Sequence, residues 1–135
     1  MPITDLDQLI NSMEPVLNPG VFAFVSVQNE KMLGSVRVIA FILETEGYSA
    51  IINEQDAITL GLPILFRAAW ITLTVASDLQ AVGLTAAFSA ALGKAGISCN
   101  VVAGAYHDHV FVPVDRAADA MMALKTLQSS SKIVN

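Results

Sequence analysis

At 135 residues, the chain is long enough for one domain or for two very small units on a shared core, and its hydrophobic share of 54% is high for a soluble monomer. The net charge of −5 comes from 12 acidic and seven basic residues, and the basic residues are scattered, which argues against binding to nucleic acid or to an anionic membrane. The single cysteine allows no internal disulfide, and the acidic start MPITDLDQL is unlike a secretory signal, so we expect a cytoplasmic protein.

The first half of the chain predicts a short helix, three strands and a second short helix. Thr4 is the expected N-cap of the first helix, because apolar residues recur behind it at helical spacing: Leu6, Leu9, Ile10 and Met13. Runs of β-branched and aromatic residues predict the strands: 21–27, 36–43 and 48–52. The second helix, over 54–60, has Asn53 as its expected N-cap.

The second half is organised around the stretch 70–113. A strand pattern over 70–76 runs into a polar turn at Ser77 and Asp78, and a helical pattern then extends to Lys94. Two further strands are predicted over 97–103 and 107–112, followed by a helix over 114–128. This order is most of the layout expected when two helices cover one face of a four-stranded antiparallel sheet.

Alternation along these strands assigns two faces to the sheet. The aliphatic face should lie under the helices, and its members are Ile71, Leu73, Val75, Val110 and Val112. The opposite face carries Trp70, Thr72, Thr74, His107, His109 and Phe111. We expect this opposite face to be exposed and to pair with a second subunit, which predicts a homodimer and accounts for the high apolar share.

The two halves also resemble each other. AFILETEGYSAIINEQDAI and VVAGAYHDHVFVPVDRAADAM share the order strand, polar turn, strand, capped helix. The first half is expected to have lost or shortened one helix, between Val27 and Val36. We therefore predict a degenerate unit over 1–65 and a second unit over 66–135, with chance recurrence of a common pattern as the alternative.

The turn from Ser77 to Thr85 is the first place that could carry chemistry. A helix N-terminus offers unpaired backbone N–H groups and the positive end of the helix dipole, which together can hold a carboxylate. Gly83 would remove a Cβ at the point of approach. The alternative is that Ser77 or Asp78 simply caps the helix and that Gly83 permits close helix packing.

The second place is the run Tyr106 to His109. Two histidines at i and i+2 on a strand share a face, which could suit a metal ion or a proton relay. A structural or ligand-gating role fits better, because tetrahedral metal sites need three or four protein ligands and the sequence offers no further ligand at motif spacing. Asp108 beside a turn is typical of a turn former. Cys99, in mid-strand, is predicted to be a core residue, and no known catalytic motif occurs.

The run LTVASDLQAVGLTAAFSAALGKAGISCNVVAGAYHDHVFVP resembles the ACT domain, the ferredoxin-like βαββαβ module that binds amino acids in aspartate kinases and other regulated enzymes. The segments DLQAVGLTAAF, GISCNVVAG and YHDHVFVP carry the likeness together, and it covers about 70–124. More specifically, the chain is similar to stand-alone tandem ACT proteins related to the arginine-sensing CASTOR proteins. In those relatives the N-terminal half is a second, diverged ACT unit, so the resemblance implies an α+β fold of two ACT units with antiparallel sheets covered by helices on one face.

The resemblance implies a regulatory protein that binds a small molecule, an amino acid above all, without catalytic activity, cofactor or metal. In aspartate-kinase-type ACT pairs, the effector lies between two units, against the loop into the first helix and the facing second strand. Carried onto this chain, those positions are Ser77, Asp78, Leu79, Val82, Gly83, Leu84, Thr85, Asn100, Val101 and Val102. N–H groups near Gly83 should take the ligand carboxylate, and Asp78 or carbonyls near Asn100 its ammonium group. His107 and Asp108 are further candidates, for the ligand side chain.

One departure from the family pattern concerns the end of the sheet. The tail SSSKIVN is a weak candidate for a closing strand, so the sheet is expected to borrow a strand from the first half. The chain shows no enzyme domain to regulate, which implies a separate protein target or action as a homodimer. Two alternatives stay open: an interaction module with a vestigial pocket, and a small metal-dependent enzyme using His107 and His109.

Overall fold

The fold is given by a computed structural model, which describes residues 5–74 and 82–130. This part of the chain contains four helices and seven strands, with short 3-10 turns at Glu30–Leu33 and Val114–Arg116. In chain order the elements are α1 (Leu6–Ser12), β1 (Pro15–Leu17), β2 (Phe22–Val27), β3 (Val38–Glu44), β4 (Gly47–Asn53), α2 (Glu54–Thr59), β5 (Phe66–Leu73), α3 (Leu84–Lys94), β6 (Asn100–Ala103), β7 (Asp108–Pro113) and α4 (Ala117–Ser130).

The strands form one antiparallel sheet in the order β3-β4-β2-β5-β7-β6, with β1 paired to β5 off this path. One edge of β5 pairs with two N-terminal strands: β2 pairs with the first three residues of β5 and β1 with the last three. Its other edge pairs with β7 along six residues. The predicted α+β fold with antiparallel strands is confirmed.

The sheet is built from two similar halves that meet where β2 pairs with β5. β2, β3, β4 and α2 recur in the same order as β5, β6, β7 and α4. Where the second half has the eleven-residue helix α3, the first has only the 3-10 turn Glu30–Leu33. The shortened helix predicted for the first half is therefore confirmed, while the boundary between residues 65 and 66 stays a prediction.

The strand expected to be borrowed from the first half is β1. Pro15–Leu17 pairs antiparallel with β5, with Pro15 opposite Leu73 and Leu17 opposite Ile71. The sequence pattern did not predict this strand, because three residues are too few to show an alternation. At the other end of the chain, Ser129 and Ser130 close α4, and residues 131–135 lie outside the described ranges.

The largest core lies between the sheet and the helices of the second half. Ile71, Leu73, Val110 and Val112 face this core from β5 and β7, as predicted, whereas Val75 lies outside the described residues. Phe88 at the middle of α3 is fully buried against them. Each large side chain buried in this way stabilises the fold by about 1.5–3 kcal/mol.

A separate core lies under the first half, between the sheet and α2. Ala23, Val25 and Ile52 point into it from β2 and β4, and Ala57 covers them from α2. Because the helix is short, much of this cover comes from the loops on either side: Leu33, Val36, Leu60, Leu62 and Ile64.

The opposite face of the sheet, predicted to be exposed, is largely buried within the chain. Phe111 has no exposed surface and packs in an aromatic cluster with Phe22, Phe24, Phe66 and Trp70. The prediction is wrong because the sheet curls, which brings β3 and β6 from opposite ends of the strand order to the same cavities. We call this aromatic face of the sheet the inner face. The inner faces of the two halves therefore cover each other.

Two predicted helix starts are also wrong. Asp5, rather than Thr4, caps α1, and its Oδ1 accepts the N–H of Gln8 at 3.0 Å. α3 begins at Leu84, several residues later than the helical pattern indicated. The predicted cap of α2 is confirmed, since the Asn53 side chain accepts the N–H of Gln55 at 2.9 Å. In the described ranges, none of the helices combines the length and the apolar character needed to cross a bilayer.

Candidate functional site

The structure places the predicted site residues in separate elements. Ser77, Asp78 and Leu79 lie outside the described residues. Val82, Gly83, Leu84 and Thr85 lead into α3, while Asn100, Val101 and Val102 belong to β6. His107 and Asp108 lie where the chain enters β7. The start of α3 and strand β6 therefore have to be considered one at a time.

Among the described residues, no side chain caps the start of α3. Gly83 is its N-cap, with φ of +104°, and the carbonyl of Gly83 accepts the N–H of Ala87 at 2.9 Å. The N–H groups of Leu84 and Thr85 have no acceptor within the helix, as in any first turn. Ser77 and Asp78 lie outside the described residues, so the alternative in which one of them caps a helix stays a prediction.

Gly83 contacts α1. A Cβ on this residue would lie 3.0 Å from Cδ2 of Leu6, closer than side chains normally approach. The positive φ also favours glycine. Leu84 is buried beside it, whereas Val82 is 85% exposed. This geometry supports close helix packing as one reason for the glycine.

Strand β6 lines a cavity of about 430 Å³ between the two halves of the sheet. Asn100, Val101 and Val102 form one wall of it. The remaining walls come from β2, β3, β4 and the start of β5 with the residue before it, namely Phe24, Val25, Ala40, Ile42, Ser49, Ala50, Ile51, Leu65 and Phe66, together with Cys99 before β6. The predicted β6 residues are thus part of a cleft that both halves of the chain build.

This cleft is apolar with a few polar groups. Ser49 and Asn100 supply its hydroxyl and amide side chains. The Ser49 hydroxyl donates a hydrogen bond to Oε1 of Glu44. Because β6 is at the end of the strand order and pairs with β7, the backbone groups along its other edge have no strand partner among the described residues. Such an edge can donate and accept hydrogen bonds.

A second cavity of about 150 Å³ adjoins the first. The two share Ala40 and Val102, and the smaller one reaches the aromatic cluster at Trp70 and Phe111. Arg37 lines it from the segment before β3. The smaller cavity therefore adds a cationic and an aromatic wall to the cleft.

His109 is held in place from several sides. Nε1–H of Trp70 donates to its Nδ1 at 3.0 Å, and Oγ1 of Thr72 lies 3.2 Å from the same nitrogen. Nδ2 of Asn18 in turn donates to Oγ1 of Thr72 at 2.9 Å and to the carbonyl oxygen of Trp70 at 3.2 Å. Burial is the main cause that lowers the pKa of His109, and the neighbouring His107 lowers it further. His109 is therefore a neutral, structurally fixed ring.

The turn before β7 is tight. The N–H of Gly104 donates to the carbonyl of His107 at 2.9 Å, and a Cβ on Gly104 would lie 2.8 Å from that oxygen. Nδ1 of His107 is buried and has no hydrogen-bond partner among the described groups. Burial raises the pKa of Asp108, although His109 and His107 act in the opposite direction.

Metal ligands and a nucleophile were also considered from the sequence. Across residues 5–74 and 82–130, no three His, Cys, Asp or Glu side chains converge as a metal site would require. Nδ1 of His109 is already engaged by the indole of Trp70. Cys99 is half-buried, and desolvation raises the pKa of its thiol, with Ser89 4.0 Å away as a weak partner. This setting fits the predicted core role of Cys99.

Family models give a direct assignment. A model described as the ACT domain matches residues 1–69, and a second one with the same description matches residues 66–126. The chain belongs to the ACT domain family. As a tandem ACT protein, it has one ACT match on each of the two similar halves described above. Among curated proteins, no match was found.

Solved structures agree with the ACT fold. A Vibrio cholerae protein of unknown function, described as a possible transport protein, is 40% identical, with a TM-score of 0.83 over 91% of this chain and 95% of the other. The ligand-free regulatory subunit of Thermus thermophilus aspartate kinase is 11% identical, with a TM-score of 0.63 over 84% and 95%. An Agrobacterium tumefaciens protein is 13% identical, with a TM-score of 0.65 over 86% and 89%. The resemblance to aspartate-kinase-type ACT domains is thus confirmed for the fold.

Several residues of the ACT protein's cleft escaped sequence reasoning. Arg37, Ser49 and Phe66 come from the first half and from the start of β5, which the sequence treated as separate from the site. The alternation along β5 did place Trp70 and Thr72 on the face of His109. That alternation was the one signal in the sequence that pointed to this face of the sheet. It does not reveal that the sheet curls and brings the two halves together.

Proposed function

We propose that this protein is a non-catalytic regulatory protein that binds an amino acid in the cleft between its two ACT units. Membership of the ACT family fits a regulatory role, and the matched modules are non-catalytic regulatory domains. The observation that carries the proposal is the cavity of about 430 Å³, to which strands of both units contribute. Its volume is in the range of small-molecule sites.

The polar groups of the cleft suit the two ends of an amino acid. Asn100 offers an amide N–H₂ for a carboxylate and an amide oxygen for an ammonium group. The free edge of β6 adds backbone donors and acceptors beside it. Phe24, Phe66 and Val102 form apolar walls, so the proposal favours an amino acid with an apolar side chain.

The start of α3 is proposed as a second contact surface of the same ligand class. Its N–H groups at Leu84 and Thr85, with Ser77, Asp78, Leu79, Val82 and Gly83, could take a carboxylate without a basic side chain. His107 and Asp108 remain candidates for contact with a ligand side chain.

Titration calorimetry with each of the twenty amino acids tests the proposal. We expect heat of binding for at least one apolar amino acid, and a rise in melting temperature that grows with its concentration, because a ligand that binds the folded state stabilises it. Twenty titrations without heat, together with unchanged melting temperatures, would refute amino-acid binding.

Two variants locate the site. Ala40→Phe should fill the cleft and abolish binding, since Ala40 lines both cavities. Ala90→Phe, on the exposed side of α3, is the matched control and should bind like the wild type. If Asp78→Ala abolishes binding while Ala40→Phe does not, the start of α3 holds the ligand and the cleft assignment is wrong.

An interaction module with a vestigial pocket is the second candidate function. The observation that favours it is the run of exposed apolar side chains on β3, which a lone subunit would leave in water. This candidate predicts self-association without amino-acid binding. A regulated protein target, a homodimer and a cytoplasmic location complete the proposal, and each can be tested separately.

A further inference from the structure

The cleft between the two units carries a single formal charge. Arg37 lines its smaller cavity, and no Asp, Glu or Lys is found among the described residues that line either cavity. Within the described ranges, the ion pairs are formed by Arg67 and Arg116, so Arg37 has no carboxylate partner there. A ligand that enters the smaller cavity therefore meets a cation whose charge is not already balanced.

The smaller cavity suits a carboxylate group. Its volume of about 150 Å³ equals that of about five water molecules in the liquid, which is enough for a carboxylate and the carbon that carries it. A guanidinium group can donate two parallel hydrogen bonds to one carboxylate. Apart from Arg37 and His109, the lining side chains are apolar or aromatic: Val38, Ile39, Ala40, Trp70, Val102 and Phe111. Such surroundings exclude water and strengthen the attraction between opposite charges.

His109 brings a further N–H group to the same cavity. Its Nδ1 accepts the indole N–H of Trp70, so the ring proton of the neutral form is on Nε2. No acceptor for this proton is found in the part of the chain that the structure describes. The lining of the smaller cavity therefore combines one charged and one neutral donor, Arg37 and His109.

The larger cavity suits an apolar group and has no charge of its own. It joins the smaller cavity at Ala40 and Val102. Its hydroxyl and amide side chains are those of Ser49 and Asn100. An ammonium group placed there would meet only neutral acceptors, and such hydrogen bonds largely replace similar ones to water. The α-ammonium group of a ligand should therefore contribute little to its affinity.

We propose that the cleft recognises its ligand through the carboxylate, which Arg37 binds in the smaller cavity while an apolar group fills the larger one. The ligand class is the apolar carboxylic acids, for which the α-ammonium group is dispensable. The inference rests on the proposed function, because it uses the same cleft. It assigns the ligand carboxylate to Arg37 instead of Asn100 or the start of α3.

Ligand analogues test which end of the ligand is recognised. Calorimetry at pH 7 compares leucine and phenylalanine with their deaminated forms, 4-methylpentanoate and 3-phenylpropanoate, and with their amides, leucinamide and phenylalaninamide. The deaminated acids should bind at most about fivefold more weakly than the amino acids. The amides should bind at least about tenfold more weakly, since a neutral amide cannot form the charged pair with Arg37. Equal binding of acids and amides, or no binding of any of the six compounds, would overturn the proposal.

Substitution of Arg37 tests its role directly. Arg37→Gln should weaken the binding of 3-phenylpropanoate at least about tenfold. Arg37→Lys should have an intermediate affinity, because lysine keeps the charge but not the paired donors of the guanidinium group. Lys125→Gln on α4 is the matched control, since it removes one positive charge away from both cavities, and it should bind like the wild type.

The same variants separate this inference from the proposed function. If Arg37→Gln binds amino acids and deaminated acids as tightly as the wild type, while Ala40→Phe does not, the cleft holds the ligand and the role of Arg37 is wrong. If the deaminated acids bind through Arg37 but none of the twenty amino acids binds, the proposed function is wrong and carboxylate recognition by Arg37 is supported.

Discussion

Nε1–H of Trp70 on β5 donates a hydrogen bond to Nδ1 of His109 on β7, at 3.0 Å. An indole nitrogen can only donate, so Nδ1 of His109 must accept and the ring proton of the neutral form resides on Nε2. The bond joins neighbouring strands on the inner face of the sheet, where Trp70 also packs on Phe22 and Phe111. This hydrogen bond therefore holds His109 as a neutral residue on the inner face of the sheet, between the two units.

His109 should make the protein less stable in mild acid. Because its pKa is lowered in the folded state, the unfolded chain binds a proton at this residue at a higher pH than the folded chain does. The free energy of unfolding should therefore fall as the pH drops below about 6.5, the ordinary histidine pKa, and level off below the lowered pKa.

Urea unfolding of the wild type and of His109→Gln between pH 5.5 and 8 measures this effect. The variant should show a smaller loss of stability in acid than the wild type. Nitrogen NMR should find the proton on Nε2 of His109 at pH 8. A His109 that titrates above 6.5 would contradict the hydrogen-bonding scheme.

Gly104→Ala should destabilise the protein by about 1–3 kcal/mol, the range for a strained substitution without space. The added Cβ would lie 2.8 Å from the backbone oxygen of His107 and 3.2 Å from Nε2 of His109. Gly93→Ala is the matched control, because Gly93 lies within α3 and a Cβ on it would have no other atom within 4 Å. The control should gain about 0.5–1 kcal/mol of stability. Urea denaturation of both variants gives the comparison.

Phe111→Ala should cost about 3–5 kcal/mol, as other large truncations of buried aromatic residues do. Phe111 is fully buried between the two halves and packs edge-to-face on Phe24 at 5.6 Å. Val82→Ala, at an 85% exposed position, should change stability by less than about 0.5 kcal/mol. If Phe111→Ala had an equally small effect in thermal or urea unfolding, the inner face of the sheet would be exposed after all.

Cys99 should react slowly with a thiol reagent in the folded protein. Burial raises the pKa of its thiol, so little reactive thiolate forms at pH 8. The rate should increase markedly when the protein is unfolded in guanidinium chloride, where the thiol has its ordinary pKa. Fast modification of the native protein would instead mark Cys99 as an accessible nucleophile.

Local patterns predicted the elements better than their ends. The alternation of Ile71 and Leu73 against Trp70 and Thr72 correctly assigned the faces of β5, because strand geometry alone produces it. The start of α3 was misplaced because the residues before Leu84 are also compatible with a helix. In the folded chain, the positive φ of Gly83 and its contact with Leu6 place the start of the helix directly after this residue.

Apart from β1, the sequence by itself determined the order of strands and helices, the repeat and the need for a borrowed strand, since these follow from periodicity, turn residues and family resemblance. Tertiary structure alone decided that Pro15–Leu17 supplies the borrowed strand and that Phe111 is buried between the units. It also decided that Arg37 and Ser49 lie in the same cleft as Asn100 and Val102. The reason is the curl of the sheet, which sums small twists over six strands and brings together residues far apart in the chain.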